Sequence, residues 1–177
     1  MITVDGFFEG PNKEIDWHNV DSEFNDFAVE QLNNASCLIF GRLTYQLMEN
    51  YWPTPAALSD DPVVAQKMNS IAKIVFTRTL DKTEWNNTRL VKGDIELECE
   101  KLKLENEKDI FIFGSANLAT SFKKLDLIDE YRIIINPIIL GRGNPLFKPA
   151  DEPLKLKLIR IRPFISGNVL LYYEPKR

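Results

Sequence analysis

The sequence predicts an α/β domain with a mostly parallel central β-sheet, flanking helices and a C-terminal antiparallel hairpin. Three observations support this fold class. Short apolar strands alternate with helical segments, which requires parallel strands joined by crossovers. Several strands run directly into a helix, and the end of the chain changes to alternating apolar and cationic residues. With 177 residues, 44% of them hydrophobic, and no linker-like segment, we expect one domain over residues 1–177.

The predicted elements follow from the hydrophobic periodicity of the chain. Apolar residues at helical spacing mark the helices, and short runs of branched and aromatic residues mark the strands. Trp52-Pro53 ends the second helix, and the proline-rich segment 53–62 is predicted to be a loop. In chain order we predict a helix over 24–32, a strand over 37–40, a helix over 43–51, a helix over 63–68, strands over 73–77 and 88–91, a helix over 95–104, a strand over 110–113, a helix beginning at 114, a strand over 131–136 and a hairpin over 154–174.

The charge of the chain limits its partners. A net charge of -4 and a pI near 5.2 argue against a broad nucleic-acid surface. The cationic residues of the hairpin, Lys155, Lys157, Arg160 and Arg162, are therefore expected to form a solvated face. Any anionic ligand has to be held by local features.

The N-terminal residues lack an export signal, and no stretch approaches membrane-spanning length. We therefore expect a cytoplasmic protein with no membrane partner.

Cys37 and Cys99 have no histidine or cysteine at metal-ligand spacing, so two buried thiols are predicted and no metal site.

Three strand-to-helix or strand-to-loop junctions carry residues suited to binding phosphate. In an open parallel sheet, ligands bind beyond the carboxyl ends of the strands, where helix amides are unpaired. The junctions are Gly41-Arg42-x-Thr44, Thr77-Arg78-Thr79 and Gly114-Ser115-Ala116-Asn117. They offer backbone amides, two guanidinium groups and several hydroxyls, which together could hold the phosphates of a dinucleotide.

Each junction also has a purely structural interpretation. The glycines would supply positive φ angles, Ser115 would cap its helix, and both arginines would be solvated. None of the junctions matches the GxGxxG or Walker spacing, so a P-loop nucleotidase is not predicted.

Six segments resemble the dihydrofolate reductase fold, and specifically the dihydrofolate reductase-like proteins related to the reductase (RibD C-terminal) domain of riboflavin biosynthesis. The last of the six, with its Gly-x-Gly-x-Pro-Leu-Phe pattern, is the most specific to that family. The segments that carry the resemblance are 4–8, Ile15-Asp16-Trp17, 40–45, 77–80, 127–131 and 137–147.

The resemblance implies an NADPH-dependent reductase. Arg78 is the favoured contact for the 2'-phosphate of the adenosine ribose, because its planar fork can donate twice, and Arg42 is the weaker alternative. The cofactor-binding residues that the resemblance implies are Gly41, Arg42, Thr44, Thr77, Arg78, Thr79, Gly114, Ser115, Ala116, Asn117 and Leu118.

Two acids are candidates for catalysis. The resemblance makes Asp21 the proton donor, with Glu23 second, while an N-cap role of Asp21 remains open. Asp5 lies beside Gly6 in the loop that the resemblance puts over the active site, where a turn-forming role is equally open. A loop or surface role is expected for His18. The implied substrate-binding residues are Asp5, Trp17 and Phe24.

Two departures from the family pattern stand out. The chain begins where the family usually finishes its first central strand, so that strand is expected to be truncated, with Met1 to Val4 as a short remnant. Gly114-Ser115 stands where folate reductases have paired glycines, and serine narrows the backbone conformations available there.

The predicted function is hydride transfer from NADPH to a pterin-like or ribosylaminopyrimidine-like heterocycle, similar to 5-amino-6-(5-phosphoribosylamino)uracil reductase or dihydrofolate reductase. The fold alone does not name the acceptor. Two alternatives remain: a non-catalytic NADP- or ligand-binding protein of the same fold, and a structural dimerisation domain that uses the apolar strands and hairpin. The resemblance also implies a homodimer.

Overall fold

The computed structural model describes residues 1–147 and 152–177. The helices are Ser22–Asn34 (α1), Arg42–Glu49 (α2), Pro55–Asp60 (α3), Pro62–Ser70 (α4), Ile95–Glu105 (α5) and Ala116–Lys124 (α6). The strands are Ile2–Thr3 (β1), Phe7–Glu9 (β2), Ala35–Gly41 (β3), Ala72–Phe76 (β4), Thr88–Val91 (β5), Asp109–Ile112 (β6), Tyr131–Asn136 (β7), Asn144–Pro145 (β8), Leu156–Pro163 (β9) and Val169–Pro175 (β10).

The chain packs into two units. The central unit is Asn25–Ser121, and the terminal unit combines Met1–Phe24 with Phe122–Arg177. The expectation of one domain over residues 1–177 stays a prediction.

The central unit is built on a four-stranded parallel sheet in the order β5-β4-β3-β6. Ile39 on β3 pairs with Ile74 on β4 and with Ile112 on β6, so the carboxyl ends of these strands lie at one edge. Phe40 and Val75 are fully buried, as the apolar runs predict for strands covered on both faces. The predicted parallel sheet is confirmed.

Lys73 is a charged residue inside this unit. Its side chain is fully buried, and its Nζ donates to the carbonyls of Met68 at 2.8 Å and Ile71 at 2.7 Å near the end of α4. The ammonium also lies 4.4 Å from the ring centroid of Trp85. Burial lowers the pKa of Lys73 to about 8. A cation at this position satisfies carbonyls that the helix itself leaves unpaired.

The predicted loop over 53–62 is wrong in part, because α3 lies within it. The hydroxyl of Thr54 accepts the amide of Ala57 at 3.3 Å, and Pro55 occupies the first turn, where its missing N–H costs nothing. Asp61 caps α4 in the same way. Pro55 and Pro62, two of the three prolines that suggested a loop, are therefore the first residues of α3 and α4.

The terminal unit contains a mixed sheet in the order β1-β7-β10-β9. β1 is parallel to β7, and the other pairs are antiparallel, which confirms the predicted C-terminal hairpin. β1 is a two-residue strand in which fully buried Thr3 pairs with Asn136. β2 and β8 form a separate antiparallel pair.

The prediction of a solvated cationic face on the hairpin is correct only in part. Lys157 and Arg160 are exposed, but Arg162 is half-buried. The guanidinium carbon of Arg160 lies 3.9 Å from the ring centroid of Tyr172, and that of Arg162 lies 5.1 Å from that of Phe164. The arginine side chains thus cover aromatic rings on their own face of the sheet.

Both cysteines are buried free thiols, as predicted. Burial is the main cause that raises the pKa of Cys37 to about 11, which keeps this thiol protonated.

Within residues 1–147 and 152–177, none of the helices combines the length and the apolar character needed to cross a bilayer.

Candidate functional site

The carboxyl edge of the central sheet joins two of the three predicted junctions. Gly41 ends β3, and its amide donates to the hydroxyl of Ser115 at 2.9 Å. A Cβ built on Gly41 would lie 3.6 Å from the Cβ of Leu118, which is ordinary van der Waals contact. The starts of α2 and α6 are therefore neighbours, and their first-turn amides belong to one edge of the sheet.

The junction before α6 has an unusual backbone. Gly114 and Ser115 are consecutive residues with positive φ, at 56° and 54°. For serine this conformation costs about 1–2 kcal/mol, because its Cβ approaches the backbone. The Ser115 hydroxyl accepts from Gly41 and donates to the carbonyl of Phe113 at 3.2 Å. These bonds correct the interpretation of Ser115 as the cap of its own helix.

The start of α2 has no side-chain cap. Gly41 is the N-cap residue with an extended backbone, and no side chain in the described part of the chain accepts from the first-turn amides. Arg42 follows at the first helical position, is exposed, and donates to Gln46 Oε1 at 3.1 Å. Thr44 is half-buried in the same turn. This helix end combines unpaired amides with a guanidinium group, a combination that favours an anion.

In the third junction, after β4, one side chain forms the turn and the two that follow are exposed. Thr77 is buried, and its hydroxyl accepts the amides of Thr79 at 3.2 Å and Leu80 at 3.0 Å. The Thr77 hydroxyl therefore shapes the turn. Arg78 and Thr79 are exposed, and the guanidinium of Arg78 makes no hydrogen bond or ion pair with any residue that the structure describes.

Glu49 fixes the far end of the connection between β4 and β5, residues 77–87, which carries Arg78. Its Oε1 accepts from the Tyr45 hydroxyl at 2.7 Å and from the amides of Glu84 at 3.1 Å and Trp85 at 3.2 Å. Sequence reasoning missed Glu49, because a glutamate at the end of an amphipathic helix has no distinguishing signal. The connection is thus held at its start by Thr77 and at its end by Glu49.

In the terminal unit, the carboxylates of Asp21 and Glu23, at the start of α1, both accept hydrogen bonds from backbone amides. Asp21 Oδ1 accepts the amide of Phe24 at 2.8 Å, which is the N-cap role left open above. Glu23 Oε2 accepts the amide of Ile165 at 2.7 Å, in the turn between β9 and β10. The proposed catalytic role of Asp21 is compatible with a cap, since a carboxylate has a second oxygen.

Asp5 ties the N-terminal loop to the glycine-rich turn. Its two oxygens accept the amides of Leu140 at 3.1 Å and Gly141 at 2.8 Å, and Gly141 has a positive φ of 78°. The Thr3 hydroxyl is the main cause that lowers the pKa of Asp5, and these amides lower it further. A carboxyl group held in this way is ionised at neutral pH and is poorly suited to donate a proton.

Asn19 organises the loop next to Trp17, and sequence reasoning missed it. Its amide donates to Asn136 Oδ1 at 2.8 Å, its Nδ2 donates to the Ser166 carbonyl at 2.9 Å, and its carbonyl accepts from Asn168 at 2.7 Å. The loop is thereby attached to β7 and to the turn before β10. An asparagine in a polar loop gives no sequence signal for such bonds.

Trp17 and His18 pack against each other beside Asn19. Their ring centroids are 4.5 Å apart in an edge-to-face arrangement, and the Trp17 Nε1 and His18 Nε2 atoms are buried without a hydrogen-bond partner in the described ranges. Burial is the main cause that lowers the pKa of His18 to about 4, and the N-terminal ammonium lowers it further. His18 is a loop residue, as predicted, and is neutral at pH 7.

The two sheets and the carboxyl-edge junctions define a dihydrofolate reductase-like α/β protein. The model of the RibD C-terminal domain family matches residues 1–170. The chain belongs to this family.

The similarity to known proteins extends over nearly the whole chain. YyaP of Bacillus subtilis (strain 168), a protein named as uncharacterized, is 36% identical over 175 residues, which are 98% of this chain and 90% of YyaP. A solved structure from Shewanella sp. PV-4, of a protein assigned to riboflavin biosynthesis, is 25% identical with a TM-score of 0.75, and the match covers 99% of this chain and 96% of that one.

A more distant solved structure shares the fold. Dihydrofolate reductase from Enterococcus faecalis, complexed with NADP(H) and RAB-propyl, is 14% identical with a TM-score of 0.64. The match covers 99% of this chain and 93% of the reductase. The resemblance to the dihydrofolate reductase-like and RibD C-terminal proteins is confirmed.

Replacing Ser115 tests the bond that joins the two helix starts. Ser115→Ala removes the acceptor of the Gly41 amide and keeps the unfavourable φ, so we expect a loss of about 1–2 kcal/mol in the free energy of unfolding. Ser115→Gly loses the same bond but relieves the backbone, so it should be more stable than the alanine variant by about 1 kcal/mol. Urea unfolding of both variants gives the two values.

Ser121→Ala is the matched control, because its hydroxyl donates to the Asn117 carbonyl on the exposed part of the same helix. Its stability should stay within about 0.5 kcal/mol of the wild type. Equal stability of the Ser115→Ala and Ser115→Gly proteins would contradict the strained backbone at this junction.

His18 should make stability depend on pH. The folded pKa of about 4 lies below the ordinary value of 6.5, so the unfolded chain binds more protons between these values and stability falls as pH falls through them. His18→Phe keeps the edge-to-face packing but cannot titrate. We expect it to remove about 1–2 kcal/mol of the difference in unfolding free energy between pH 7 and pH 4.5, allowing for partial solvent exposure of the ring.

Urea unfolding at the two pH values, with wild type and variant in parallel, measures this difference. Acids such as Asp5 titrate in both proteins, so their contribution cancels in the comparison. The same pH dependence in both proteins would show that His18 is not desolvated.

Proposed function

We propose that the chain is an NADPH-dependent reductase that transfers a hydride to a heterocycle of the pterin or ribosylaminopyrimidine type. The observation that carries this proposal is the 2.9 Å hydrogen bond between Gly41 and Ser115, which joins two helix starts at the carboxyl edge of a parallel sheet. Ligands of open parallel sheets bind at that edge. The phosphates of a dinucleotide cofactor are anionic groups of the kind that helix starts at such an edge favour.

The pyrophosphate of the cofactor fits the joined starts of α2 and α6. The Ser115 hydroxyl is already bonded to Gly41 and Phe113, so it leaves the first-turn amides of α6 without its cap. Those amides and the uncapped first turn of α2 are the natural donors to phosphate oxygens. The pyrophosphate-binding residues of the proposal are Gly41, Arg42, Thr44, Gly114, Ser115, Ala116, Asn117 and Leu118.

The 2'-phosphate fits the turn after β4. The exposed guanidinium of Arg78 has no partner among the described residues, and Thr79 is exposed beside it. Thr77 and Glu49 hold the two ends of this connection, so Arg78 is presented on an anchored loop. An unpaired arginine on a fixed turn favours a dianionic phosphate over the hydroxyl of NADH.

The comparisons support the same cofactor and reaction class. The Enterococcus faecalis reductase is complexed with NADP(H), and the Shewanella protein is assigned to riboflavin biosynthesis. NADPH, when bound, supplies the hydride, and the protein supplies orientation and a proton. The free thiols Cys37 and Cys99 agree with activity in the reducing cytoplasm.

The proton donor of the proposal is Asp21. Asp5 was the other candidate, but its lowered pKa and its two amide bonds make it the weaker one. Trp17 and Phe24 flank Asp21 in the sequence and are proposed to contact the substrate with Asp5. In this arrangement the cap bond uses one oxygen of Asp21, and the second oxygen carries the proton.

A second candidate function is a non-catalytic NADP-binding protein of the same fold. The observation that favours it is the engagement of both candidate acids in structural hydrogen bonds, Asp5 with a turn and Asp21 with a helix start. NADPH binding without oxidation over a panel of dihydropterins and the riboflavin-pathway pyrimidine would support this second function.

Arg78→Ala tests the cofactor preference. We expect the dissociation constant for NADPH to rise about 10- to 100-fold, because a charge-assisted contact to phosphate is lost. The constant for NADH should change less than about 2-fold. Fluorescence titration of the purified protein with each cofactor measures both values.

Lys82→Ala is the matched control, since it removes one positive charge from the same connection, and the Lys82 ammonium pairs with exposed Glu84 at 3.9 Å. It should change NADPH affinity less than about 2-fold. Equal losses of NADPH and NADH affinity in Arg78→Ala would contradict the 2'-phosphate contact. A wild-type protein that binds neither cofactor would overturn the reductase proposal itself.

Asp21→Asn tests the proton donor. Asparagine caps a helix about as well as aspartate, so stability should be retained while the proton is lost. With a substrate that the wild type reduces, we expect kcat for NADPH oxidation to fall about 100-fold. Asp94→Asn, which makes the same change at the cap of α5, should leave kcat unchanged. Wild-type turnover in Asp21→Asn would remove this residue from the mechanism.

A further inference from the structure

Arg142 shares with Arg78 an unusual property among the arginines of this chain. Its guanidinium is exposed and makes no hydrogen bond, ion pair or ring contact with any residue in the ranges 1–147 and 152–177. All the other arginines contact a neighbouring side chain. The pairs are Arg42 with Gln46, Arg89 with Glu98, Arg132 with Glu130, Arg160 with Tyr172, Arg162 with Phe164 and Arg177 with Asp126.

The loop with Arg142 leaves the terminal unit's mixed sheet at a carboxyl edge. β1 and β7 are parallel, with Thr3 opposite Asn136, so the loops that follow these strands begin side by side. The Val4 amide donates to the Ile138 carbonyl at 2.9 Å and joins the two loops. Ligands of parallel strands bind beyond such ends.

The backbone is fixed on both sides of Arg142. Before it, Asp5 accepts the amides of Leu140 and Gly141, as described above. After it, a Cβ on Gly143 would lie 2.4 Å from the carbonyl oxygen of Glu9, so only glycine fits at this position. The loop therefore presents the Arg142 guanidinium from an anchored backbone.

The carboxylates nearest to Arg142 in this loop arrangement have other partners. Asp5 accepts backbone amides, and Glu9 Oε1 accepts from Asn144 Nδ2 at 2.9 Å. An arginine beside a carboxylate ordinarily pairs with it. Here both acids hold the loop through amide groups, so the guanidinium is available to an anion from outside the chain.

Exposed aliphatic side chains occur in the same two joined loops. Val4 is 59% exposed and Ile139 is 74% exposed. Small-molecule sites combine apolar surface with a few polar groups that fix orientation. A ring that carries an oxyanion matches this combination, because a guanidinium can donate two parallel hydrogen bonds to a carboxylate or a phosphate.

We propose that Arg142 binds the anionic group of the substrate, a phosphate or carboxylate attached to the heterocycle, while Val4 and Ile139 contact the ring. Arg142 then selects acidic substrates over neutral rings. The inference rests on the proposed function in one respect, since it takes this ligand to be the substrate of the reductase.

Arg142→Ala tests the site by calorimetric titration of the full chain without cofactor. The probes are phenyl phosphate, benzoate and uncharged benzyl alcohol. Both anions should bind the wild type more tightly than benzyl alcohol, and the tighter anion distinguishes a phosphate site from a carboxylate site. In Arg142→Ala the dissociation constant for that anion should rise at least about 10-fold. Arg142→Lys should lose less, because it keeps the charge without the planar fork.

Lys157→Ala is the matched control, since it removes one positive charge from exposed β9 in the same unit. Its affinity for the anion should change less than about 2-fold. Equal losses in Arg142→Ala and Lys157→Ala would show attraction by net charge alone and overturn the proposal. Unchanged binding in Arg142→Ala, or a wild type that prefers neither anion to benzyl alcohol, would also overturn it.

Turnover gives a second readout. With an acidic substrate that the wild type reduces, Arg142→Ala should raise KM about 10-fold and change kcat less than about 2-fold, because the contact is equal in the ground and transition states. A fall in kcat at unchanged KM would contradict this role.

The two proposals fail separately. A wild type that binds NADPH but neither anion removes the Arg142 site and leaves the reductase proposal. A wild type that binds an anion through Arg142 but does not bind NADPH removes the reductase and leaves a site for acidic rings.

Discussion

The hydrogen bond from the Gly41 amide to the Ser115 hydroxyl is the constraint on which the carboxyl edge of the central sheet depends. It joins residues 74 positions apart in the sequence and brings the starts of two helices together. Ser115 makes this bond from a backbone with positive φ, so a locally unfavourable conformation occurs together with a favourable long-range contact. The same bond uses the hydroxyl that would otherwise cap α6, and thus leaves the amides of that helix free for a ligand.

The connection that carries Arg78 is held by a remote contact at one end and by a local turn at the other. Glu49 accepts the amides of Glu84 and Trp85, and Tyr45 reaches the same carboxylate from within α2. Thr77 closes the opposite end of the connection. The turn with Arg78 is therefore fixed at both ends while its guanidinium stays exposed. An exposed charge on an anchored loop loses little conformational freedom on binding, which is the condition for affinity from a single arginine.

The elements that could be predicted from the sequence are those whose ends are marked by neighbouring residues. The bounds of β5 and β7 match the predicted strands, because their apolar runs are bordered by polar residues and turns. α3 was missed because proline both breaks a helix and favours its first turn, and only the cap at Thr54 distinguishes the two. Glu49 and Asn19 were missed for a different reason. Their roles arise from partners brought near by the fold, and nothing in the neighbouring residues indicates them.

The hairpin shows how a correct alternation pattern can predict the surroundings of a face only in part. Alternation in β9 predicted two faces, and the cationic one was assigned to water because charge is costly to bury. In the structure the guanidinium groups of Arg160 and Arg162 themselves lie over the rings of Tyr172 and Phe164, where the negative face of each ring attracts the cation. Leucine and isoleucine have no charged group to place over a ring, and on the other face of this hairpin Leu158 and Ile161 are 45% and 53% exposed. Alternation thus defines the two faces, but the contacts that the fold provides to each side chain decide how far each face is exposed to water.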